Sequence, residues 1–152
     1  MLASSDIRIA VPGDHEQIAA LSRDYIEHGL GWSWTPERVL HAIRAPSATV
    51  LVVQRREQLE AFAIMEFGDE RAHLALLAVH PMRRHLGLGT GLLAWLEQSA
   101  RVAGISRIRL EARADNHSAV AFYARLGFAE TGRVPGYYEG VVDAVRLEKK
   151  LT

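Results

Sequence analysis

Three sets of residues in this 152-residue chain have types and spacings that could do chemistry. The first is the run Arg84-His85-Leu86-Gly87-Leu88-Gly89-Thr90, set directly between an apolar strand and an apolar helix. Glycines at such a junction let the backbone come close to a ligand. The unpaired N–H groups of the helix start, with the positive end of its dipole, make an anion site. Arg84 adds a fixed positive charge that can fork onto phosphate oxygens. The loop is therefore expected to hold a phosphate or pyrophosphate; the competing reading is a Gly-rich turn with no ligand. A dinucleotide fingerprint needs Gly-x-Gly-x-x-Gly, whereas Gly87, Gly89 and Gly91 alternate, and no Gly-Lys-Ser/Thr follows to make a triphosphate loop.

The second set centres on Glu111. Ile108, Leu110 and Ala112 form one face of its strand, and Arg107, Arg109, Glu111 and Arg113 the other. Four charges in one interior strand imply a face open to water or ligand, because buried unpaired charges are costly. Arginines two residues away lower the carboxylate pKa. The third is Tyr123, which shares a helix face with Ala119, Phe122 and Leu126. A phenol with pKa ~10 holds its proton at neutral pH and can donate it, although a core tyrosine would show the same spacing. Trp32 and Trp34 fall in a Gly-flanked connection and suit either an acceptor pocket or core anchoring. Tyr137 and Tyr138 follow Pro135-Gly136 and are expected in a turn. The seven histidines show no metal spacing, so no metal is expected, and His80 before Pro81 reads as structural.

The elements that must position these residues can be read along the chain. Ile7, Ile9 and Val11 alternate with polar residues as a half-buried strand, ended by Pro12-Gly13. Asp14 can cap a helix to about His28, and Thr35-Pro36 caps and starts a second. Thr49 to Gln54 and Leu59 to Phe67 form a hairpin, and Leu74 to Val79 reads as a central strand, apolar on both faces. Leu88, Leu92, Leu93, Leu96, Ala100 and Ala103 stripe a helix that ends at Gly104. Ile105 to Ala112 is the next strand, parallel to the first across a helical crossover. A helix capped by Asp115, Asn116 or Ser118 runs to Gly127, and Phe128 to Arg133 with Val141 to Leu151 closes as an antiparallel hairpin. The order β-α-α-β-β-β-α-β-α-β-β predicts an α/β (α+β) fold, a mixed sheet with helices on both faces.

Bulk properties bound the rest. The length suits one domain over residues 1–152. Zero formal net charge argues against a nucleic-acid partner. No cysteine means no disulfide and no catalytic thiol, which fits a cytoplasmic protein. No apolar run approaches the ~20 residues of a membrane span, and no signal peptide is evident.

The Arg-x-x-Gly-x-Gly loop after Leu77-Ala78-Val79-His80-Pro81 resembles the acetyl-coenzyme A loop of the GNAT superfamily of N-acetyltransferases. Leu110 to Asn116, leading into the Asn-x-x-Ala-x-x-x-Tyr-x-x-x-Gly-Phe run that ends at Phe128, resembles its other signature. The two blocks cover roughly the C-terminal half, which resembles ribosomal-protein alanine N-acetyltransferases. The resemblance implies a mostly antiparallel twisted sheet with one splayed parallel pair. It also implies acetyl-coenzyme A as co-substrate, held by Leu77, Ala78, Val79, the segment from Arg84 to Thr90, and Asn116, for which helix capping is the competing reading. In the resemblance Glu111 is the base and Tyr123 protonates the leaving thiolate; Glu66, near the end of the preceding hairpin strand, is the alternative base. The expected reaction is direct attack by a primary amine, since no cysteine is present to form an acetyl-enzyme. The acceptor is a protein N-terminal amine or, as an alternative, an amino acid, polyamine or antibiotic, bordered by Trp32, Trp34, Tyr137 and Tyr138. A homodimer is compatible with the sequence. The rival from another class is a non-catalytic acyl-coenzyme A-binding module.

Overall fold

The computed structural model describes residues 6–151. The elements are β1 (Ile7–Ile9), α1 (His15–Tyr25), α2 (Pro36–Arg44), β2 (Ala48–Arg55), β3 (Gln58–Phe67), β4 (Arg71–Val79), α3 (Leu88–Val102), β5 (Arg107–Arg113), α4 (His117–Arg125), β6 (Ala129–Tyr138) and β7 (Val142–Lys150). They form one seven-stranded sheet in the order β1-β2-β3-β4-β5-β7-β6. Every pairing is antiparallel except β4 with β5. This is the expected mixed α/β fold, in the expected element order.

Local chemistry explains most boundaries. The Thr35 hydroxyl accepts the Arg38 N–H and Pro36 opens α2, as the sequence predicts. Asn116 is the cap of α4; its side-chain oxygen accepts the Ala119 N–H at 3.1 Å. Gly104 takes the left-handed conformation after α3, with φ of 81°. Asp14 stands at the N-cap of α1, as expected, but its side chain makes no capping bond. Its carboxylate instead takes a two-pronged bond from the Arg8 guanidinium at 2.8 and 2.9 Å, and a third from the Val11 N–H. A bidentate charged partner outcompetes a neutral helix N–H. Tyr137 and Tyr138 lie in strand β6 rather than in a turn, because β6 continues past Pro135 through a register shift between Val134 and Tyr138.

Two apolar layers flank the sheet. One packs α3 and α4, through Leu92, Leu93, Leu96 and Tyr123, onto Leu51, Ala63, Ile108, Leu110 and Leu147. The three leucines are fully buried, each worth about 1.5–3 kcal/mol relative to exposure. The other packs α1, α2 and their connection, through Ile18, Val39 and Trp34, onto Val50, Val52, Phe62, Ile64, Leu76 and Ala78. No residue of β5, β6 or β7 belongs to this second layer. The charged face of β5 is therefore the one without a helix core over it, as its four charges require.

Strand β4 begins at Arg71, earlier than its apolar stretch suggests, and it changes faces midway. Ile64 pairs with Leu76 and Met65 with Leu74, so Ala75 is a bulge. Before it, Ala72 and Leu74 point to the α3–α4 layer; after it, Leu76 and Ala78 point to the α1–α2 layer. An apolar run on both faces at once is what such a switch writes into a sequence. The pairing of β4 with β5 covers only Arg71–Arg107, Ala72–Ile108 and His73–Arg109. Beyond those rungs the strands part, while β5 stays paired with β7 to Arg113. The splay is thus present, with the bulge beside its foot.

Candidate active site

The widening gap between β4 and β5 opens into a cavity of about 1040 Å³. At one end stands the glycine loop. Gly87 is the N-terminal cap of α3 with φ of 80°, and no side chain caps this helix. His85 is also left-handed, at φ of 65°, an unfavourable conformation for a residue with a Cβ. The loop thus turns sharply and leaves the first N–H groups of α3 free of side-chain acceptors. Arg84, His85, Gly87, Leu88, Gly89 and Thr90 line the cavity, and Arg84 has no ion-pair partner among the described residues. Uncapped helix donors with an uncommitted guanidinium fit a pyrophosphate. Gly89 serves a different need from the one its motif suggests: a Cβ there would stand 3.1 Å from Phe122 Cζ and 3.7 Å from Leu77 Cδ2. It lets α3 approach α4 and β4. Leu86 lies half out in solvent.

Leu77, Ala78 and Val79 form one wall and Leu110 to Arg113 the other. Tyr123 is buried between Phe122 and Phe128, edge to face with both at centroid distances of 5.1 and 5.6 Å. It lines the cavity, and its hydroxyl has no hydrogen-bond partner among the described residues. Burial first, then the neighbouring Tyr138, push its pKa up, so it stays protonated. Asn116 also lines the cavity while capping α4.

Glu111 sits at the foot of the splay with its side chain only 3% exposed. Its Oε1 accepts from His73 Nε2 at 2.6 Å and from the Tyr137 hydroxyl at 3.4 Å. Its Oε2 accepts from Arg109 Nη1 at 3.0 Å and Arg146 Nε at 3.1 Å. Burial alone would raise its pKa, but the His73 bond and charge, the Arg146 bond and the Arg109 charge outweigh it and bring it down to about 2. Glu66, the alternative base, lines the cavity 3.6 Å from His73 Nδ1. The sequence reading missed His73, because it began the strand at Leu74; the alternation Arg71, His73 continuing into an apolar strand was the available signal.

A stability prediction follows from Glu111. Its folded pKa lies below the ordinary 4.5, so its stabilisation is present above that value and is lost as pH falls towards 2. The whole shift amounts to about 3 kcal/mol. Denaturant unfolding of wild type and Glu111→Gln should show a gap at pH 7 that closes between about pH 4.5 and 2. A gap that is constant with pH contradicts the assignment.

The far end of the cavity is bounded by the α1–α2 connection and the β6–β7 turn. Glu27, another residue the sequence reading passed over, organises that connection: its buried carboxylate accepts from the Ser22 hydroxyl at 2.8 Å, the Ser33 N–H at 2.8 Å and the Ser33 hydroxyl at 2.5 Å. Trp32 donates from Nε1 to the Ala19 carbonyl at 3.2 Å, and Trp34 is buried under the Arg38 guanidinium. Both tryptophans are anchored and both line the cavity. Tyr137 and Tyr138 meet edge to face, and the Tyr138 hydroxyl donates to the Glu111 carbonyl at 3.2 Å. Arg113 Nη1 donates to the His28 carbonyl at 2.8 Å, and the Glu139 carboxylate accepts the Gly31 N–H. The two lips of the mouth are therefore joined. Among the described residues no helix is long and apolar enough to cross a membrane.

Comparison with known proteins bears on this geometry. An uncharacterized N-acetyltransferase of Methanocaldococcus jannaschii is 39% identical over 87 residues, 57% of this chain and 54% of the relative. The [ribosomal protein bS18]-alanine N-acetyltransferase of Salmonella typhimurium is 31% identical over 121 residues, 78% of this chain and 80% of the relative. The match thus spans about half of the first relative's length and four-fifths of the second's. The crystal structure of the ribosomal-protein-S18-alanine N-acetyltransferase from Escherichia coli superposes with a TM-score of 0.78 at 27% identity, covering 96% of this chain and 93% of that one. Residues 16–128, from the start of α1 to Phe128 and so including the glycine loop, the splay and Tyr123, match the Acetyltransferase (GNAT) family. This chain belongs to that family of acyltransferases.

Proposed function

We propose that this protein is an acetyl-coenzyme A-dependent N-acetyltransferase whose acceptor is a protein N-terminal amine, attacked directly. The observation that carries the reading is Tyr123, whose ring is buried while its hydroxyl makes no hydrogen bond among the described residues and opens on a cavity shared with the glycine loop and Glu111. A phenol donor left open to a cavity is free to bond to a ligand there. Acetyl-coenzyme A supplies the activated acetyl group. The helix N-terminus and Arg84 hold its pyrophosphate, the walls from Leu77 to Val79 take its arm, and Tyr123 gives a proton to the departing sulfur. Glu111 supports the acceptor's side of the reaction. The peptide acceptor is supported by the Salmonella relative, a ribosomal-protein alanine N-acetyltransferase, and by Tyr137 and Tyr138 standing against Glu111.

A second reading, a slender small-molecule amine, is favoured by the Glu139–Gly31 bond, which narrows the mouth. One assay separates them. Coenzyme A release is followed with peptides bearing a free or a blocked α-amine and with a panel of small amines. Turnover of free-amine peptides alone supports the first reading, and turnover of small amines alone replaces it with the second. Tight coenzyme A binding with no turnover would make the protein a non-catalytic acyl-coenzyme A-binding module.

A further inference from the structure

A carboxylate offers about four lone-pair positions on its two oxygens. At Glu111 all four are taken: His73 and the Tyr137 hydroxyl on Oε1, Arg109 and Arg146 on Oε2. No position remains for an acceptor ammonium, and a carboxylate so well supplied with donors holds a proton weakly. Glu111 has the surroundings of an orienting group.

What it orients is His73. The Nε2–Glu111 distance of 2.6 Å fixes the ring and assigns the N–H to Nε2. In the neutral ring Nδ1 is then the lone-pair nitrogen. It lies 3.6 Å from Glu66 Oε1, outside hydrogen-bond distance, and has no other partner among the described residues. His73 lines the cavity at the last paired rung of β4 with β5. The Ala75 bulge is two residues, roughly 7 Å, further along the strand, where the cavity walls begin to part. An imidazole with one nitrogen fixed by a buried carboxylate and the other open to a cavity is arranged as a general base.

We propose that His73 is a catalytic residue of this protein, taking the acceptor's proton at Nδ1 while Glu111 holds the ring. The inference rests on the reading that the cavity carries out acetyl transfer to an amine. The ammonium N–H bond breaks and the proton passes to Nδ1. The neutral amine nitrogen forms a bond to the thioester carbon. The carbon–sulfur bond then breaks, the sulfur takes a proton from the Tyr123 hydroxyl, and the new amide's surplus N–H proton replaces it. His73 returns its proton to water, so one proton is released per turnover. Glu66 from β3 and Glu111 from β5 stand against the ring, and Arg109 from β5, Arg146 from β7 and Tyr137 from β6 bear on it through Glu111; Arg71 shares its face of β4.

The test uses the full chain and His73→Gln, whose amide can still donate to Glu111 but cannot take a proton. With an acceptor that wild type acetylates, kcat should fall roughly 10²–10⁴-fold near neutral pH and recover in part at alkaline pH, where more acceptor is already neutral. Coenzyme A affinity by calorimetry should stay within about twofold of wild type, which also reports folding. Glu111→Gln should leave more activity than His73→Gln, because the base remains. Independently of turnover, ¹⁵N NMR of the ligand-free protein at alkaline pH should find the His73 proton on Nε2. A His73→Gln enzyme matching an active wild type, or a proton on Nδ1, overturns the proposal alone. A wild type that binds coenzyme A and acetylates no amine overturns the underlying reading and the proposal with it.

Discussion

Tyr123→Phe should lower kcat by roughly 10²–10⁴-fold while leaving coenzyme A affinity and thermal stability close to wild type. The substitution keeps the ring, and with it the edge-to-face contacts to Phe122 and Phe128. It removes only a hydroxyl that makes no hydrogen bond to the described protein, so no buried partner is stranded. Most buried tyrosines would behave differently, losing stability when the hydroxyl goes. The combination of a large loss in kcat with unchanged melting and binding is therefore diagnostic. If kcat is unchanged when chemistry limits the rate, Tyr123 is a packing residue.

Gly87→Glu and Gly89→Glu should each abolish detectable coenzyme A binding, but by different routes. At Gly87 a new Cβ meets nothing within 4 Å, so the side chain is admitted. The left-handed backbone costs about 1–2 kcal/mol, and binding is lost because the new carboxylate occupies the anion site at the helix N-terminus and repels the pyrophosphate. At Gly89 the Cβ presses on the tip of the Phe122 ring at 3.1 Å, so that ring must give by a few tenths of an ångström before charge matters. Gly89→Ala separates the two effects, since it adds the Cβ without the charge. Arg84→Ala should be milder, weakening binding by ~1–3 kcal/mol, the scale of one charged hydrogen bond. Calorimetry on the purified variants, with circular dichroism to confirm folding, measures all four. Unchanged affinity in a folded Gly87→Glu protein would remove the pyrophosphate assignment.

The sequence made some of this legible, for physical reasons that can be named. Period and punctuation revealed the elements: Thr35-Pro36, Asn116 and Gly104 act through local backbone chemistry that needs no tertiary context. The loop was readable because its elements are contiguous, one strand, one turn and one helix. The partners of Glu27, His73 and Arg146 were not readable, although alternation could have placed His73 in its strand. Glu27 draws its partners from the end of α1 and the connection that follows, and Arg146 reaches Glu111 only through pairing of β7 with β5. His73 meets Glu111 only because β4 and β5 are parallel and in that register. The Asp14 side chain was misread because the competing partner, Arg8, sits on a different element. Tyr137 and Tyr138 were placed in a turn because Pro135-Gly136 is an ordinary turn signal, and the strand absorbs it as a bulge. Side chains that meet across the sheet depend on register, and one extra residue, such as Ala75, resets it.

The parting of β4 from β5 gives the sheet two bare edges in its interior instead of at its rim. Outer edges invite any passing chain, which is why proteins shorten them or break them up. These inner edges are screened by the molecule itself, with β3 and β7 occupying their far sides. Only something as thin as a single extended arm can reach them. An occupant would then act as an eighth strand, closing the ladder from within, and would bind the two halves of the sheet to one another. Those amide protons among Leu77 to Val79 and Leu110 to Arg113 that point into the gap would exchange more slowly in its presence, and the chain would melt as a more cooperative unit.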